Sequence, residues 1–221
     1  MSQNSHRALD TIFSCTYIVA THLHSCNTGS VKKVVLASAS PWRKELLARA
    51  GIRFIVDVSG HKENLRRKLS PKALVKRLAL EKVLAVATRH ANAVVIGADT
   101  VAVFKGRIIG KPKNSSEARK ILKRLSGKRH VLVTGFVVMD TKTGRITAKA
   151  VNTGVEFRTL SDEEIRRYVQ TGEPMTVAGG YAIQGGGASF ASRIEGDFYN
   201  IVGLPLAAVV TELRKFGVKT G

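Results

Sequence analysis

Short apolar runs alternate with longer segments of helical spacing along most of the chain. The run Val34–Ala37 predicts a buried strand. Ser40-Pro41 follows it and has the form of a helix start, because serine caps a helix well and proline suits its first position. We expect this helix to reach about Ala50 and to stop at Gly51, and Ile52–Val58 to form a second strand.

A second, longer helix and further strands are predicted next. Ser70-Pro71 repeats the serine–proline start, and the apolar spacing behind it extends to about His90. Ala93–Ala98 predicts an apolar strand that ends at Asp99-Thr100. We expect a separate strand, Val101–Phe104, to connect through a tight turn to a strand at Arg107–Ile109.

The second half of the chain completes the same alternation. It predicts a helix at Ser115–Leu125, followed by a long hairpin formed by His130–Met139 and Arg145–Arg158. A capping-box helix start at Ser161–Glu164, a glycine-rich loop at 172–199 and a closing helix at Pro205–Phe216 follow. Strands that alternate with helices favour an α/β fold with a mixed sheet.

The first thirty residues differ from the rest of the chain. They contain both cysteines, and the apolar stretch Thr11–Ala20 is too short to span a membrane. Arg7 alone is a weak basic front for a signal peptide. We expect residues 1–30 to be an N-terminal extension, either disordered or the result of a start codon placed too far upstream, and residues 31–221 to form the domain.

The composition narrows the function classes. The net charge is +20, and residues 31–221 supply all of it with 35 basic and 15 acidic residues. The positive electrostatic field of such a chain attracts polyanions. A generally basic proteome or a lysine-rich surface adapted to high temperature would give the same excess of basic residues. The domain contains no cysteine, which excludes a Cys-ligated metal site and a catalytic thiol there. P-loop, nucleophile-elbow and zinc-protease motifs are absent from the sequence.

Several polar residues stand where α/β proteins place their ligands. Arg43 and Lys44 lie in a first helical turn, where the helix dipole does not favour cations, so an anion could bind between them; an ordinary capped helix with solvated charges is the alternative. Asp99 follows an apolar strand and could hold Mg²⁺ or orient a water, or simply form a turn. Lys82 and Lys111 could present ammonium groups or could lie on solvated surfaces.

Eight short blocks appear in a fixed order along the domain. They are LASASP at 36–41, RLA-x-x-K at 77–82, GADT at 97–100, GKP at 110–112, TG at 134–135, FRTLS at 157–161, AGGYAIQG at 178–185 and VGLPL at 202–206. Together they resemble the Maf family, the nucleotide pyrophosphatases also called septum-formation inhibitors. The resemblance covers about residues 34–206, nearly the entire domain.

The resemblance implies a two-lobed, mixed-sheet α/β fold of the Maf/ITPase type with a central cleft. It also implies cytoplasmic hydrolysis of a nucleoside triphosphate between its α- and β-phosphates with Mg²⁺, Mn²⁺ or Co²⁺. By resemblance, Asp99 is the catalytic carboxylate and binds the metal together with Glu63. The implied substrate-binding residues are Ser38, Trp42, Arg43, Lys82, Thr100, Lys111 and Gln184, among which Arg43, Lys82 and Lys111 form a phosphate clamp.

The base preference stays open at the level of sequence. The family usually has arginine at the position of Trp42, and its 7-methyl-GTP branch has tryptophan there, which suits a cationic methylated purine. The AGGYAIQG block instead resembles the dTTP/UTP branch, although Thr176-Val177 replaces the usual Asp-Lys pair before it. We favour dTTP/UTP because that block is longer than a single substitution.

Other functions and partners remain alternatives at this level. One is a nucleic-acid-binding or division-regulating protein without catalysis that uses the +20 field. Because only 6% of residues are aromatic, we do not expect nucleic acid to be the partner, nor do we expect a membrane to be. The resemblance leaves a homodimer open.

Overall fold

The fold is built on one mixed β-sheet. A computed structural model describes residues 32–60, 64, 65 and 67–220. Its strands are β1 Val34–Leu36, β2 Ile55–Val56, β3 Val94–Phe104, β4 Arg107–Ile109, β5 Arg129–Asp140, β6 Ile146–Phe157 and β7 Ala191–Glu195. The order across the sheet is β2-β1-β3-β5-β6-β7, with β4 beside β3. β1 runs parallel to β2 and β3, and the other pairs are antiparallel, so the predicted mixed α/β fold is confirmed.

Six helices pack against this sheet within the described residues. They are α1 Pro41–Arg49, α2 Pro71–Ala87, α3 Ser115–Leu125, α4 Asp162–Gln170, α5 Phe198–Val202 and α6 Leu206–Lys215. The predicted capping is present: Ser40 and Ser70 accept hydrogen bonds from backbone N–H groups of the first turn, and Ser161 forms a capping box with Glu164. Each such cap satisfies an N–H group that the helix itself leaves without a partner.

One predicted boundary is wrong, and it lies at the site. The sequence predicts two strands separated at Asp99-Thr100, but β3 is a single strand of 11 residues. Its pairing with β5 continues without a shift from Val94 to Val103. Because this antiparallel ladder hydrogen-bonds both sides of the expected break, Asp99 lies in the middle of a strand rather than at its carboxyl end.

Two further expectations differ from the structure. The strand predicted at Ile52–Val58 is reduced to the two-residue β2, Ile55–Val56. The glycine-rich segment expected to be a loop contains three 3₁₀ turns, the strand β7 and the start of the short helix α5. These elements are short, and they take their form from pairing with β6 and from packing rather than from their own sequence pattern.

Two hydrophobic clusters lie at the two ends of β3. Val94, Ile96 and Ala98 pack with α1 and α6, whereas Ala102 and Phe104 pack with α3 and α4. The polar residues Asp99 and Thr100 lie between the two sets along the strand. The cleft of the predicted two-lobed fold therefore meets the sheet at the centre of β3.

Helix α2 packs unusually close to the sheet because two glycines face it. A Cβ atom at Gly97 of β3 would lie 2.7 Å from the Ala79 carbonyl oxygen, and one at Gly135 of β5 would lie 2.5 Å from the Val75 carbonyl carbon. Any side chain at these positions would push the helix away from the sheet. The two glycines thus set the height of α2 above β3.

Some predictions fall outside the described residues. These are the N-terminal extension 1–30 and the metal ligand Glu63, and both stay predictions. Among the helices that the structure does describe, none combines the length and apolar character needed to cross a bilayer.

Candidate active site

A cleft of about 920 Å³ opens between α1, the end of β2 and the turn after α4. It adjoins a second hollow of about 100 Å³ that reaches the middle of β3. Ser40, Trp42, Arg43, Lys111 and Thr176 border both spaces. The structure brings eight of the nine predicted site residues to these two spaces, namely Ser38, Trp42, Arg43, Lys82, Asp99, Thr100, Lys111 and Gln184.

The cleft lies beside a stretch of β3 that lacks a neighbouring strand on one side. β1 pairs with Val94–Ile96 and β4 pairs with Ala102–Phe104, while β5 occupies the opposite side of the strand. Residues 97–101 are therefore uncovered on the side of β1 and β4. Asp99 and Thr100 point to opposite faces of the sheet, as successive strand residues do, yet both border the smaller hollow next to this uncovered stretch.

Lys82 and Asp99 form a buried ion pair at this point. Lys82 Nζ lies 2.5 Å from Asp99 Oδ1 and 3.4 Å from the Ala98 carbonyl oxygen. Lys82 is 7% exposed and Asp99 is 3% exposed, so Lys82 does not lie on a solvated helix face. The close approach of α2 to the sheet at Gly97 brings the lysine within reach of the carboxylate.

Arg43 is turned inward and connects three parts of the chain. Its Nε donates to the Gly203 carbonyl oxygen at 2.8 Å, its Nη1 to Ser38 Oγ at 3.2 Å and its Nη2 to Thr100 Oγ1 at 3.1 Å. The side chain is buried, whereas Lys44 beside it is only half-buried. Arg43 thus brings a positive charge to the floor of the cleft in a fixed orientation.

Buried hydrogen bonds support Thr100 from below. Thr100 Oγ1 lies 2.9 Å from Thr134 Oγ1, and Thr134 Oγ1 donates to the Asn200 carbonyl oxygen at 2.8 Å. The Asn200 amide donates in turn to Thr153 Oγ1 and to the Leu132 carbonyl oxygen. This chain of bonds links β3, β5, β6 and α5 underneath the cleft, and sequence analysis missed its supporting members because they are far apart in the sequence.

The remaining predicted residues border the cleft with side chains that are less constrained than those of Arg43 and Lys82. Lys111 is exposed, and its ammonium makes no hydrogen bond within the described part of the chain. Trp42 is half-buried and borders both spaces. Gln184 is half-buried, borders the smaller hollow and likewise has no side-chain hydrogen bond to a described residue. These three side chains are available to contact a ligand.

Glu173 and Thr176 are among the residues bordering the larger space that sequence analysis did not predict as site residues. Glu173 and Thr176 lie in the 3₁₀ turn after α4, together with Gly172. Glu173 accepts a hydrogen bond from a backbone N–H, that of Gly186. A bond to the backbone leaves no residue-type signal in the sequence, so no motif could have indicated it.

The donor groups near Asp99 fit a metal shared with a phosphorylated ligand. In the part of the chain that the structure describes, no three or more His, Cys, Asp or Glu side chains are grouped so as to hold a metal by themselves. Mg²⁺ usually takes only one or two protein carboxylates and completes its shell with waters and substrate phosphate oxygens. Asp99 borders the smaller hollow, which adjoins the larger space lined by three cations, and it suits that mode of binding.

These features define an α/β protein with a cationic cleft for a phosphorylated ligand. The family described as Maf-like protein matches residues 33–216, and the chain belongs to this family. The chain is 48% identical over 187 residues to a dTTP/UTP pyrophosphatase of Dictyoglomus turgidum, an alignment that covers 84% of this chain and 97% of the relative.

Further comparisons extend this similarity. A dTTP/UTP pyrophosphatase of Methanosarcina barkeri is 44% identical over 189 residues, which is 85% of this chain and 96% of the relative. The solved structure of the Staphylococcus aureus Ham1 protein covers 57% of this chain and 72% of its own length, at 14% identity and a TM-score of 0.40. That likeness is too low to add to the family assignment.

Proposed function

We propose that the protein hydrolyses dTTP and UTP to the nucleoside monophosphate and pyrophosphate. The observation that carries this proposal is the convergence of Arg43, Lys82 and Lys111 with the carboxylate of Asp99 around one cleft. Membership of the Maf-like family and relatives named dTTP/UTP pyrophosphatase at 44% to 48% identity support it. We place this activity in the cytoplasm, where its substrates are made.

The three cations contribute to triphosphate binding in different ways. Arg43 is fixed by its bonds to Ser38, Thr100 and Gly203, so its positive charge keeps a constant position at the border of the cleft. Lys111 is exposed and able to follow the phosphate chain. A triphosphate carries about four negative charges, and its hydrolysis depends on charge neutralisation and in-line positioning more than on covalent chemistry.

Asp99 acts on the attacking water in this proposal. Its carboxylate, buried at the centre of β3, is held by Lys82 at 2.5 Å, which fixes one of its oxygens. A buried carboxylate in a fixed position can accept a proton from a water aligned with the α-phosphorus. Lys82 is thereby a positioning residue for Asp99 as well as a source of positive charge.

A divalent cation completes the proposal. Asp99 would hold Mg²⁺, Mn²⁺ or Co²⁺ together with oxygens of the substrate, and Glu63 is the second ligand that the family resemblance implies. Bound there, the cation would neutralise phosphate charge and lower the pKa of a water. The protein's own residues would still bind and orient the nucleotide and exclude solvent from it.

A nucleotide panel tests the activity. Purified protein is incubated with dTTP, UTP, dCTP, dATP and dGTP, with Mg²⁺ or Mn²⁺, and with detection of both the monophosphate and pyrophosphate. We expect equimolar monophosphate and pyrophosphate from dTTP and UTP, and we expect EDTA to abolish both. Orthophosphate together with a nucleoside diphosphate would contradict cleavage between the α- and β-phosphates.

A second candidate substrate is favoured by one observation. Trp42 is half-buried and borders both parts of the cleft, so its ring is placed to stack on a base. A cationic methylated purine would stack best on tryptophan. Including 7-methyl-GTP in the same panel decides between the two, because kcat/KM for 7-methyl-GTP above that for dTTP would reverse our preference.

A further inference from the structure

A short loop that carries Gln184 is fixed at its first residue by a tyrosine of α4. We define the Gln184 loop as residues 182–186. The hydroxyl oxygen of Tyr168 accepts a hydrogen bond from the Ala182 backbone N–H at 2.9 Å. The Tyr168 ring is buried and packs edge-on against Phe190 with ring centroids 4.9 Å apart, so the hydroxyl cannot move freely.

A glutamate fixes the last residue of the same loop. Glu173 Oε1 accepts a hydrogen bond from the Gly186 backbone N–H at 3.3 Å. A Cβ atom at Gly185 would overlap this carboxylate oxygen, and one at Gly186 would lie 3.4 Å from Glu173 Oε2. The carboxylate therefore lies directly against the loop backbone, and only glycine permits that approach.

The two anchoring side chains also lie close to each other. The position of a Cβ at Gly186 would be 3.1 Å from the Tyr168 ring as well as near Glu173 Oε2. Burial raises the pKa of the Tyr168 phenol, and the neighbouring Glu173 carboxylate raises it further. The phenol therefore stays protonated, and its oxygen accepts the hydrogen bond from the Ala182 N–H.

We propose that Tyr168 and Glu173 are positioning residues that hold Gln184 in place to select the base, an inference that rests on the proposed function. Gln184 is the central residue of the anchored loop and borders the same hollow as Asp99 and Thr100. Its amide is uncommitted within the described residues and offers both a donor and an acceptor.

The chemistry of the bases explains why position matters here. Thymine and uracil present an N–H donor at position 3 beside a carbonyl acceptor at position 4, and cytosine exchanges these two roles. A site that leaves one buried hydrogen-bonding group without its partner rejects the wrong base strongly. An amide held in one place can enforce this difference, whereas an amide on a loosened loop can adjust to either base.

The test compares three variants with one matched control. Glu173→Ala removes the anchor, Glu173→Gln keeps an oxygen for the Gly186 N–H, and Tyr168→Phe removes the acceptor for Ala182. The control is Glu163→Gln on the same helix, because Glu163 is exposed and pairs only with Arg166 and Arg167 among the described residues. For each variant, kcat and KM are measured with dTTP and with dCTP, and a thermal melt reports folding.

We expect Glu173→Ala to raise KM for dTTP about tenfold while kcat changes less than about twofold, the size of one lost hydrogen bond to a charged group. The preference for dTTP over dCTP should shrink by a similar factor. Tyr168→Phe should act in the same direction, Glu173→Gln should restore most of the wild-type preference, and the control should match the wild type.

Three results would overturn the inference. They are an unchanged preference for dTTP over dCTP in Glu173→Ala and Tyr168→Phe, a loss confined to kcat, and a Glu173→Gln variant no better than Glu173→Ala. If Glu173→Ala does not fold, Tyr168→Phe decides by itself, since it removes a single oxygen. A wild-type protein that cleaves neither dTTP nor UTP would instead refute the proposed function.

Discussion

The buried ion pair between Lys82 and Asp99 leads to a prediction in which stability and turnover respond differently. Asp99→Asn removes the negative charge that faces Lys82 and keeps an oxygen that can still accept a hydrogen bond. The two charged atoms are 2.5 Å apart, and both residues are less than 10% exposed. Solvent therefore screens this pair weakly, unlike a pair on the surface.

The magnitude follows from this burial. Breaking a buried pair by removing one partner costs about 3–5 kcal/mol, and we take about 3 kcal/mol because the asparagine oxygen remains. For a domain of this size, 1 kcal/mol shifts Tm by about 2–4 °C, which gives a decrease of about 6–12 °C. Lys82→Met should cost a similar amount. The double variant should lose about 2 kcal/mol less than the sum of the two single variants, because the interaction is counted once.

Turnover should not follow the same pattern. We expect Asp99→Asn to lower kcat with dTTP at least about 1,000-fold, in the range seen when a general base is lost. The double variant should be equally inactive although it regains part of its stability. The assay is pyrophosphate release at saturating dTTP and metal, together with thermal melts at pH 7. Glu45→Gln, which removes an exposed pair with Arg49, is the control and should change neither quantity.

Two results would refute this reasoning. Additive losses of stability in the double variant would mean that the two side chains do not interact as a unit. Substantial turnover by Asp99→Asn would mean that another group accepts the proton, and the assignment of Asp99 would then be wrong.

Three further predictions concern packing, pH and the base. Gly97→Ala places a Cβ 2.7 Å from the Ala79 carbonyl oxygen and from Val83 Cγ2, so we expect a loss of about 3 kcal/mol in denaturant unfolding together with lower kcat, and an unchanged midpoint would contradict the packing argument. Burial lowers the pKa of His130 from 6.5 to about 4. As the pH falls below 6.5, the histidine of the unfolded chain therefore takes up a proton before that of the folded protein does. The resulting contribution to the free energy of unfolding, about 3 kcal/mol, should be present above pH 6.5 and disappear toward pH 4. His130→Gln should flatten this part of the stability profile, and identical profiles for both proteins would exclude His130 as its source. Trp42→Arg should leave dTTP hydrolysis within about threefold and reduce any 7-methyl-GTP hydrolysis about tenfold or more, the value of a lost cation–π contact, in side-by-side kinetics.

The sequence predicts those parts of the fold that depend on local signals. Ser40-Pro41, Ser70-Pro71 and Ser161 each mark a helix start that the structure contains, because a cap is formed by residues that are close in the sequence. The extent of β3 could not be predicted in this way. A polar Asp99-Thr100 pair looks like a strand end, and only the distant ladder with β5 keeps the strand continuous through it.

The site shows the same division between local and distant information. Asp99, Arg43 and Lys111 could be chosen from their residue types and from the ordered motif blocks. That Lys82 is buried could not be deduced, since it depends on how closely α2 approaches Gly97. Glu173 gave no signal either, because its partner is a backbone N–H rather than a side chain that a motif could contain.

The continuity of β3 has a consequence for how a ligand enters and leaves. The same strand serves both hydrophobic clusters, and β5 accompanies it over ten paired residues. No flexible connection along these two strands allows one half of the sheet to rotate away from the other, as hinged two-domain enzymes do. Exchange of nucleotide must therefore rely on small movements of the segments that border the cleft, among them Val58–Gly60 and the turn at Gly172–Thr176.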